Sequence, residues 1–414
     1  MKFDWWLTGI CFSRVFSGLV FMTYAAALPV LQMEWQMSST AAGSIASGFQ
    51  IGYALSLITF STLADRISPK TLFLWSNYAG ALLSLGFALI ARGYLSALLL
   101  YTLVGISLGG TYTTGLMILS DHYPVKRRGM AMGFFIASTS FGYALSLLLS
   151  GIALPFGGYR LSFLLTCLGP LVGAIFAWIT LSKTEFPAAG HQEEQKFMKE
   201  VLGNKPAMLL ISGYTFHNWE LLGMWAWTPA FLSSCLAIRG TDGLWAAGLG
   251  AYIAALFHVT GLFSSFSMGM LSDRLGRARV IIIISGISAV CSFVFGWSIG
   301  WPFILVIGIG IIYAFSALGD SPVLSAALTE VVETRYLGAA FGLRSLLGFG
   351  AGAISPLLFG AVLDWTNPIV STQIHYEVWG WSFSILGVGG LGAAWAAYRF
   401  KRICNKGAIY DWET

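Results

Sequence analysis

The chain has 414 residues, of which 57% are hydrophobic and only 10% charged, and its net charge is +5. Soluble domains carry roughly 25% charged residues, so a soluble fold is excluded and most apolar side chains must face lipid or other helices. The five cysteines form no Cys-x-x-Cys pair and no cluster with histidine. We therefore expect no disulfide framework, no metal site and no cofactor.

Apolar segments of membrane-spanning length follow one another along the whole chain. A helix needs roughly 17–25 mainly apolar residues to cross a bilayer. The predicted spans are 6–31, 42–63, 71–91, 95–118, 130–153, 161–182, 207–235, 244–270, 280–299, 302–326, 338–362 and 379–398. These segments predict an all-α membrane protein with twelve transmembrane helices. The pairs Gly105/Gly109 and Gly348/Gly352 are small-xxx-small motifs that allow helices to approach closely.

Basic residues are unevenly distributed between the two sides of the membrane. Arg92, Arg160 and Arg239 fall in loops of one side, two arginines fall inside spans, and the remaining eighteen of 23 Lys and Arg residues lie on the other side. Because positively charged loops stay in the cytoplasm, the crowded side is cytoplasmic, and twelve spans place both termini there. Orientation explains these short basic loops, so we expect no nucleic-acid partner.

A short polar signature occurs twice, about half a chain length apart. Segment 63–70 recurs as 271–278, with Asp65 and Asp273 separated by 208 residues. A glycine motif recurs with nearly the same offset, 209 residues from Gly133 to Gly342. A near-constant offset indicates two copies of one membrane unit, as in many secondary transporters.

The longest polar connection separates these two copies and sets the predicted domain boundaries. Residues 183–206 form this connection, between spans six and seven. We predict an N-terminal six-helix bundle at 1–182, a cytoplasmic linker at 183–206, a C-terminal six-helix bundle at 207–398 and a cytoplasmic tail at 399–414.

Four ionisable residues fall inside predicted spans: Arg14, Glu220, Asp320 and Arg344. A charge costs about 2.5 kcal/mol or more at the bilayer midplane, so such residues usually line a cavity or form pairs. Arg14 is a candidate for binding an anionic substrate group, since guanidinium matches carboxylate. Glu220 and Asp320 are candidates for proton coupling, because a buried carboxylate binds a proton more readily. Permanent ion pairs remain an equal alternative for Arg14 and Glu220. Arg344 is expected to reach the cytoplasmic surface, although a structural or a functional role stays open for it and for His258.

Polar and aromatic residues of other spans are further candidates for substrate binding. Tyr214, His217 and Trp225 share one face of span seven at 100° per residue. Gln50 in span two and Tyr112 in span four are additional candidates. Packing explains aromatic residues in a span equally well.

The two sets of six spans and the repeated loops resemble the major facilitator superfamily over essentially the whole chain. The loop pattern of that family is Gly-x-Leu-Ala-Asp-Arg-x-Gly-Arg-Lys. Gly269–Arg277 matches it closely, whereas the first copy has Ser61, Ser68 and Pro69 in place of Gly, Gly and Arg.

The resemblance implies two pseudo-symmetric six-helix bundles and a central path lined by spans one, four, seven and ten. That path would place Arg14, Glu220 and Asp320 at a cavity. Two departures matter: Tyr101 stands where many members have an arginine in span four, and residues 139–151 contain no proline. The first weighs against proton coupling through span four, and the second against drug/proton antiport.

Charged residues at the cytoplasmic ends of the spans are predicted to form a gate. A carboxylate is stabilised beside a helix N-terminus, so each repeated aspartate is expected to cap a span of the other half. Each repeated arginine is expected to pair with an acidic residue at the end of span four or ten. The predicted gate consists of Asp65, Arg66, Asp121, Asp273, Arg274 and Glu330. Topology anchoring alone is the simpler alternative for the arginines.

These observations predict a secondary transporter rather than an enzyme. We expect it to move a small anionic metabolite with a proton by alternating access, in a bacterial plasma (inner) membrane. Export of a small organic compound by proton antiport is the alternative within transport, and a membrane sensor without transport activity is the alternative from another class. The sequence contains no Walker-type motif. We expect a monomer whose partners are the solute, possible coupling protons and the lipid bilayer.

Overall fold

The structure is a computed structural model that describes residues 4–64, 66–186, 200–333, 336–368 and 378–407. These ranges contain helices and connecting turns, and no strand. The principal helices are α1 Trp5–Ser17, α2 Thr23–Glu34, α3 Ser39–Leu63, α4 Pro69–Ile90, α5 Tyr94–His122, α6 Val125–Cys167, α7 Gly169–Leu181, α8 Lys205–Ala237, α9 Gly243–Leu275, α10 Arg277–Phe295, α11 Phe303–Val331, α12 Leu337–Thr366 and α13 Gly380–Gly407. The predicted all-α architecture is confirmed.

Polar residues and a proline mark the starts of the first helices. The side chain of Asp4 accepts a hydrogen bond from the backbone N–H of Leu7, at 3.1 Å, and thereby caps α1. Ser38 caps α3 in the same way through the N–H of Ala41, at 3.1 Å. Pro69 begins α4, where its missing N–H leaves no helical bond unmade. These short signals fix where α1, α3 and α4 begin.

Two predicted boundaries differ from the observed helices. The predicted first span is broken into α1 and α2 by the 3₁₀ turn Gly18–Val20. Predicted spans five and six join within α6, which kinks at Gly157 and Gly158 before α7 begins. Gly158 has φ 59° and ψ −158°, a conformation that glycine adopts without steric cost. The chain can therefore change direction there without an extended loop.

Nine stretches of the described residues are long and apolar enough to cross a membrane. The longest, Arg127–Leu181, contains both predicted spans five and six. Helices α8 and α13, which correspond to predicted spans seven and twelve, have spanning length but are not among the nine. The polar residues of α8 account for its lower hydropathy, and several of them belong to the candidate site.

The described residues divide into two compact units. The first contains 4–64, 66–186 and 225–259, and the second contains 200–224, 260–333, 336–368 and 378–407. The end of α8 and the beginning of α9 thus belong to the first unit. The six-plus-six division at residues 183–206 stays a prediction.

Glycines bring helices close together inside each unit, as their spacing predicts. In the first unit, a Cβ placed on Gly109 of α5 would lie 2.6 Å from the carbonyl oxygen of Tyr53 on α3. In the second unit, a Cβ on Gly352 of α12 would lie 2.8 Å from the carbonyl oxygen of Asn218 on α8. Larger residues at either position would push the backbones apart.

Candidate functional site

Close packing of α1 against α6 places Arg14 inside the first unit. A Cβ on Gly142 of α6 would lie 2.6 Å from the carbonyl oxygen of Val15 and 3.4 Å from Cα of Gly18. The two backbones therefore touch where α1 ends. Thr139, one turn before Gly142, consequently lies beside Arg14.

The guanidinium of Arg14 is surrounded by hydroxyl groups and aromatic rings. The residue is 5% exposed. Its Nε donates to Thr139 Oγ1 at 2.7 Å, and its Nη1 donates to Thr111 Oγ1 at 2.8 Å. Its Nη2 donates to Tyr53 Oη at 3.1 Å, and Cζ lies 5.4 Å from the ring centre of Tyr112. Among the described residues, no carboxylate lies within 4.0 Å of this guanidinium.

This environment is typical of a site that binds an anion. Hydroxyl oxygens satisfy individual N–H groups, but they do not neutralise a buried positive charge. Gln50 lies one turn before Tyr53 on α3, and its buried Oε1 has no hydrogen-bond partner within the described ranges. An unpaired cation in contact with aromatic rings offers a planar fork to a carboxylate.

The predicted binding face of span seven is divided between the two units. Trp225 belongs to the first unit, where its ring centre lies 5.5 Å from that of Tyr143 and 5.0 Å from that of His258. Tyr214 and His217 belong to the second unit, with ring centres 5.5 Å apart. His258 is therefore part of an aromatic cluster in the first unit.

A buried histidine–carboxylate pair lies in the second unit. His217 Nδ1 on α8 is 2.6 Å from Asp320 Oδ1 on α11. Ser285 on α10 donates to Asp320 Oδ2 at 3.2 Å. His217 and Asp320 are each 3% exposed. The structure thus brings together two side chains that the sequence analysis selected separately, His217 for substrate binding and Asp320 for proton coupling.

Glu220 is held by a different set of contacts. Its Oε1 accepts a hydrogen bond from Ser288 on α10 at 3.0 Å. A Cβ on Gly390 of α13 would lie 2.8 Å from Glu220 Oε2, so these helices enclose the carboxylate closely. No basic side chain of the described residues lies within 4.0 Å of it. Glu220 and Asp320 are thus both buried, but only Asp320 has a basic partner.

At the second repeated loop, Arg277 forms ion pairs with Asp273 and Glu330. Its Nη1 lies 2.5 Å from Asp273 Oδ1, and its Nε donates to Glu330 Oε1 at 3.0 Å. Arg274, which the sequence analysis selected, is exposed. The partner of Glu330 therefore differs from the expected one. Arg277 belongs to the same loop motif, so its position in the pattern was a usable signal.

Among its described residues, the first repeated loop shows no corresponding ion pair. Arg66 and Asp121 are exposed, and Asp65 lies outside the described residues. Asp121 accepts a long hydrogen bond, 3.5 Å, from the hydroxyl of its neighbour Ser120. The cytoplasmic gate stays a prediction.

The expectation that Arg344 reaches the cytoplasmic surface is wrong. The residue is 8% exposed, and its guanidinium lies against the ring of Tyr214. Sequence reasoning also missed Thr139, because nothing in the pattern of α6 distinguishes this threonine from others. Within the described residues, no group of three or more His, Cys, Asp or Glu side chains is arranged to hold a metal ion.

Comparison with known proteins identifies the family. The Major Facilitator Superfamily profile matches residues 10–257. The chain is 25% identical over 400 residues to a gallate transporter of Pseudomonas putida, covering 87% of this chain and 86% of the relative. It is 24% identical over 403 residues to a hexuronate transporter of Bacillus subtilis, covering 91% and 89%.

Solved structures show the same fold. An inward-facing, unoccupied bacterial homologue of the human lysosomal transporter Spinster matches with a TM-score of 0.76 and 17% identity, covering 98% of this chain and 99% of that one. The nucleoside transporter NupG matches with a TM-score of 0.72 and 14% identity, covering 97% and 100%. The chain belongs to the Major Facilitator Superfamily. It is a multi-pass membrane transporter of small molecules with the twelve-helix fold of that family, and not an enzyme.

Proposed function

We infer that this chain carries a small organic anion together with a proton across a bacterial plasma membrane by alternating access. The proposal rests on Arg14. Its side chain is a buried cation, and no carboxylate of the described residues lies within 4.0 Å of it. A bound carboxylate would neutralise it and could accept bonds from the guanidinium fork. The six-helix halves 1–182 and 207–398 would alternate access to the substrate.

The substrate class follows from the surroundings of Arg14 and from the relatives. Tyr53 and Tyr112 present hydroxyl groups and ring faces beside the guanidinium. Relatives named as transporters of gallate, hexuronate and 4-hydroxybenzoate carry substrates that combine one acid group with hydroxyl groups. We therefore place hydroxylated monocarboxylic acids first among the candidate substrates. Gln50, Tyr112, Tyr214, His217 and Trp225 remain proposed binding residues.

The coupling proton is assigned to the acidic residues of the second unit. The pair of His217 and Asp320, with 2.6 Å between Nδ1 and Oδ1, can exchange a proton without leaving an isolated buried charge. Glu220 contacts a hydroxyl group rather than a basic residue, so a proton bound to Glu220 would leave a neutral side chain. Asp320 is thus the main coupling candidate and Glu220 the second.

Uptake into proteoliposomes tests this function. Purified protein is expected to accumulate gallate, 4-hydroxybenzoate or D-glucuronate when the outside is more acidic than the inside, and a proton ionophore should abolish accumulation. Arg14→Gln should lower kcat/KM at least about tenfold, because a charged hydrogen-bond partner of the substrate is lost. Arg92→Gln, at an exposed arginine in the loop between α4 and α5, is the matched control.

Two results would contradict the proposal. If none of the three acids is taken up, this substrate class is excluded. If accumulation persists in the presence of the ionophore, proton symport is excluded. Transport driven only by an opposite proton gradient would instead support export by antiport. The proposal includes a monomeric protein with both termini in the cytoplasm and a gate formed by the charged loop residues.

A further inference from the structure

A second buried arginine lies in the second unit, apart from the residues assigned above to proton coupling. Arg344 is seven residues from the start of α12, or about 10 Å along the helix axis. From this depth a long side chain could reach the membrane surface. It is nevertheless 8% exposed, and its Cζ lies 4.0 Å from the ring centre of Tyr214 and 4.7 Å from that of Phe341.

The hydrogen bonds of Arg344 leave much of its guanidinium unsatisfied. Nη1 donates to Ser325 Oγ at 2.5 Å. Ser325 in turn donates to the carbonyl oxygen of Ser321 at 2.7 Å, which fixes its hydroxyl as an acceptor for the arginine. Nε is buried and has no hydrogen-bond partner within the described residues. A guanidinium carries five N–H groups, so this one is positioned but only partly bonded.

The charge of Arg344 also has no counter-ion among the residues that the structure describes. No carboxylate of the described residues lies within 4.0 Å of it. Arg277 shows the contrasting arrangement, since it contacts both Asp273 and Glu330. Ring faces stabilise a cation above and below its plane, but they leave the N–H edge free. That edge is the part of the guanidinium that recognises a carboxylate.

We propose that Arg344 forms a second subsite for the acid group of the transported anion, with Tyr214 stacked on the guanidinium and Ser325 holding it in place. This subsite rests on the proposed function and adds a second binding position to that of Arg14. Tyr214 is one helical turn from His217, which pairs with Asp320. The ring of Tyr214 would therefore lie between an anion bound at Arg344 and the proposed coupling pair.

Isothermal titration calorimetry on purified full-length protein, with 4-hydroxybenzoate and D-glucuronate as probes, tests the subsite. Arg344→Gln should weaken binding at least tenfold, and Arg344→Lys should weaken it less, because lysine keeps the charge but lacks the fork. Arg14→Gln should retain weaker binding that disappears in the Arg14→Gln/Arg344→Gln double variant. Arg399→Gln is the matched control, since Arg399 is exposed and lies 5.6 Å from the ring centre of Trp395.

Thermal unfolding of each variant separates loss of the subsite from loss of the fold. If Arg344→Gln does not fold, Arg344→Lys and Ser325→Ala decide the matter, and both should weaken binding. The proposal would be overturned if the folded Arg344 variants bound the acids with affinities within twofold of wild type. It would also be overturned if the wild-type protein bound neither acid. Binding that depends on Arg344 without uptake into proteoliposomes would support the subsite and contradict the proposed transport of these acids.

Discussion

At the scale of single residues, three arginines show how differently this chain neutralises a guanidinium. Arg277 contacts two carboxylates, Asp273 near the end of α9 and Glu330 near the end of α11. Arg14 has hydroxyl partners, and Arg344 has one hydroxyl partner and two ring faces. Neither Arg14 nor Arg344 has a carboxylate within 4.0 Å in the described part of the chain. A buried cation without a counter-ion is costly in a bilayer, so these two positions are the ones proposed to bind an anionic ligand. Arg277 thus connects the ends of α9 and α11 to the start of α10, whereas Arg14 and Arg344 are the arginines proposed for binding.

Substitution of Asp320 should uncouple transport from the proton gradient. An asparagine cannot bind and release a proton, so Asp320→Asn should lower proton-driven accumulation at least tenfold while exchange of internal for external substrate continues. Glu220→Gln is expected to have the smaller effect, because Glu220 contacts Ser288 and no described basic residue within 4.0 Å. Uptake and counterflow in proteoliposomes measure the two activities.

Glu185→Gln serves as the control for these substitutions, because Glu185 is an exposed carboxylate in the described part of the loop after α7. If both Asp320→Asn and Glu220→Gln accumulate substrate like wild type, neither carboxylate has a coupling role.

At the scale of helices, glycines determine which side chains reach the interior of each unit. Gly142 allows α6 to touch α1, which brings Thr139 to Arg14. Gly105 has the same function between α5 and α3, since a Cβ there would overlap the carbonyl oxygen of Phe49. In water-free surroundings, close backbone contact replaces the hydrophobic effect as a source of helix association. The binding residues are therefore positioned by residues that carry no chemistry of their own.

Gly105→Ala should lower the thermal stability of the protein. The added methyl group would force α3 and α5 apart, and overpacking of this kind costs about 1–3 kcal/mol. Gly86→Ala in α4 is the matched control, because nothing lies within 4 Å of a Cβ at that position. Alanine should be neutral there, or stabilising by about 0.5–1 kcal/mol. Thermal unfolding in detergent compares the two, and equal midpoints would contradict this account.

At the scale of the whole molecule, the distribution of charge along the helices predicts the orientation in the membrane. Arg92 follows α4, Arg160 follows the kink of α6, and Arg239 follows α8. Along the chain, these positions alternate with the basic segments around Arg66 and Arg277, which the predicted topology places in the cytoplasm. This alternation predicts that Arg92, Arg160 and Arg239 lie outside the cytoplasm.

Reporter fusions should confirm this orientation. Alkaline phosphatase is active only outside the cytoplasm, so fusions after Gly93 and Gly240 should be active. Fusions after Ser68 and Lys183 should be inactive, because these positions lie in the predicted cytoplasmic loops. The fusions after Ser68 and Gly93 bracket a single helix, α4, and differ only by that crossing. The reverse pattern would contradict the predicted topology.

Much of the fold could be predicted from sequence because its signals are local. Runs of apolar residues predicted the spans, and the glycine spacing predicted close contacts that the structure confirms. The site was predictable only in part. A charge in an apolar run identified Arg14 and Asp320 as candidates, but not their partners. Thr139 is 125 positions from Arg14, and a hydroxyl in a span has many possible neighbours.

The sequence by itself determined the membrane class, the helical architecture and the family, because lipid requires long apolar segments whose backbone bonds are made within the helix. The tertiary structure alone decided that His217 pairs with Asp320, that Arg277 contacts Glu330, and that Arg344 is buried against an aromatic ring. These contacts join residues that lie far apart along the chain. They depend on how each helix is rotated, and that rotation is set by packing among several helices at once.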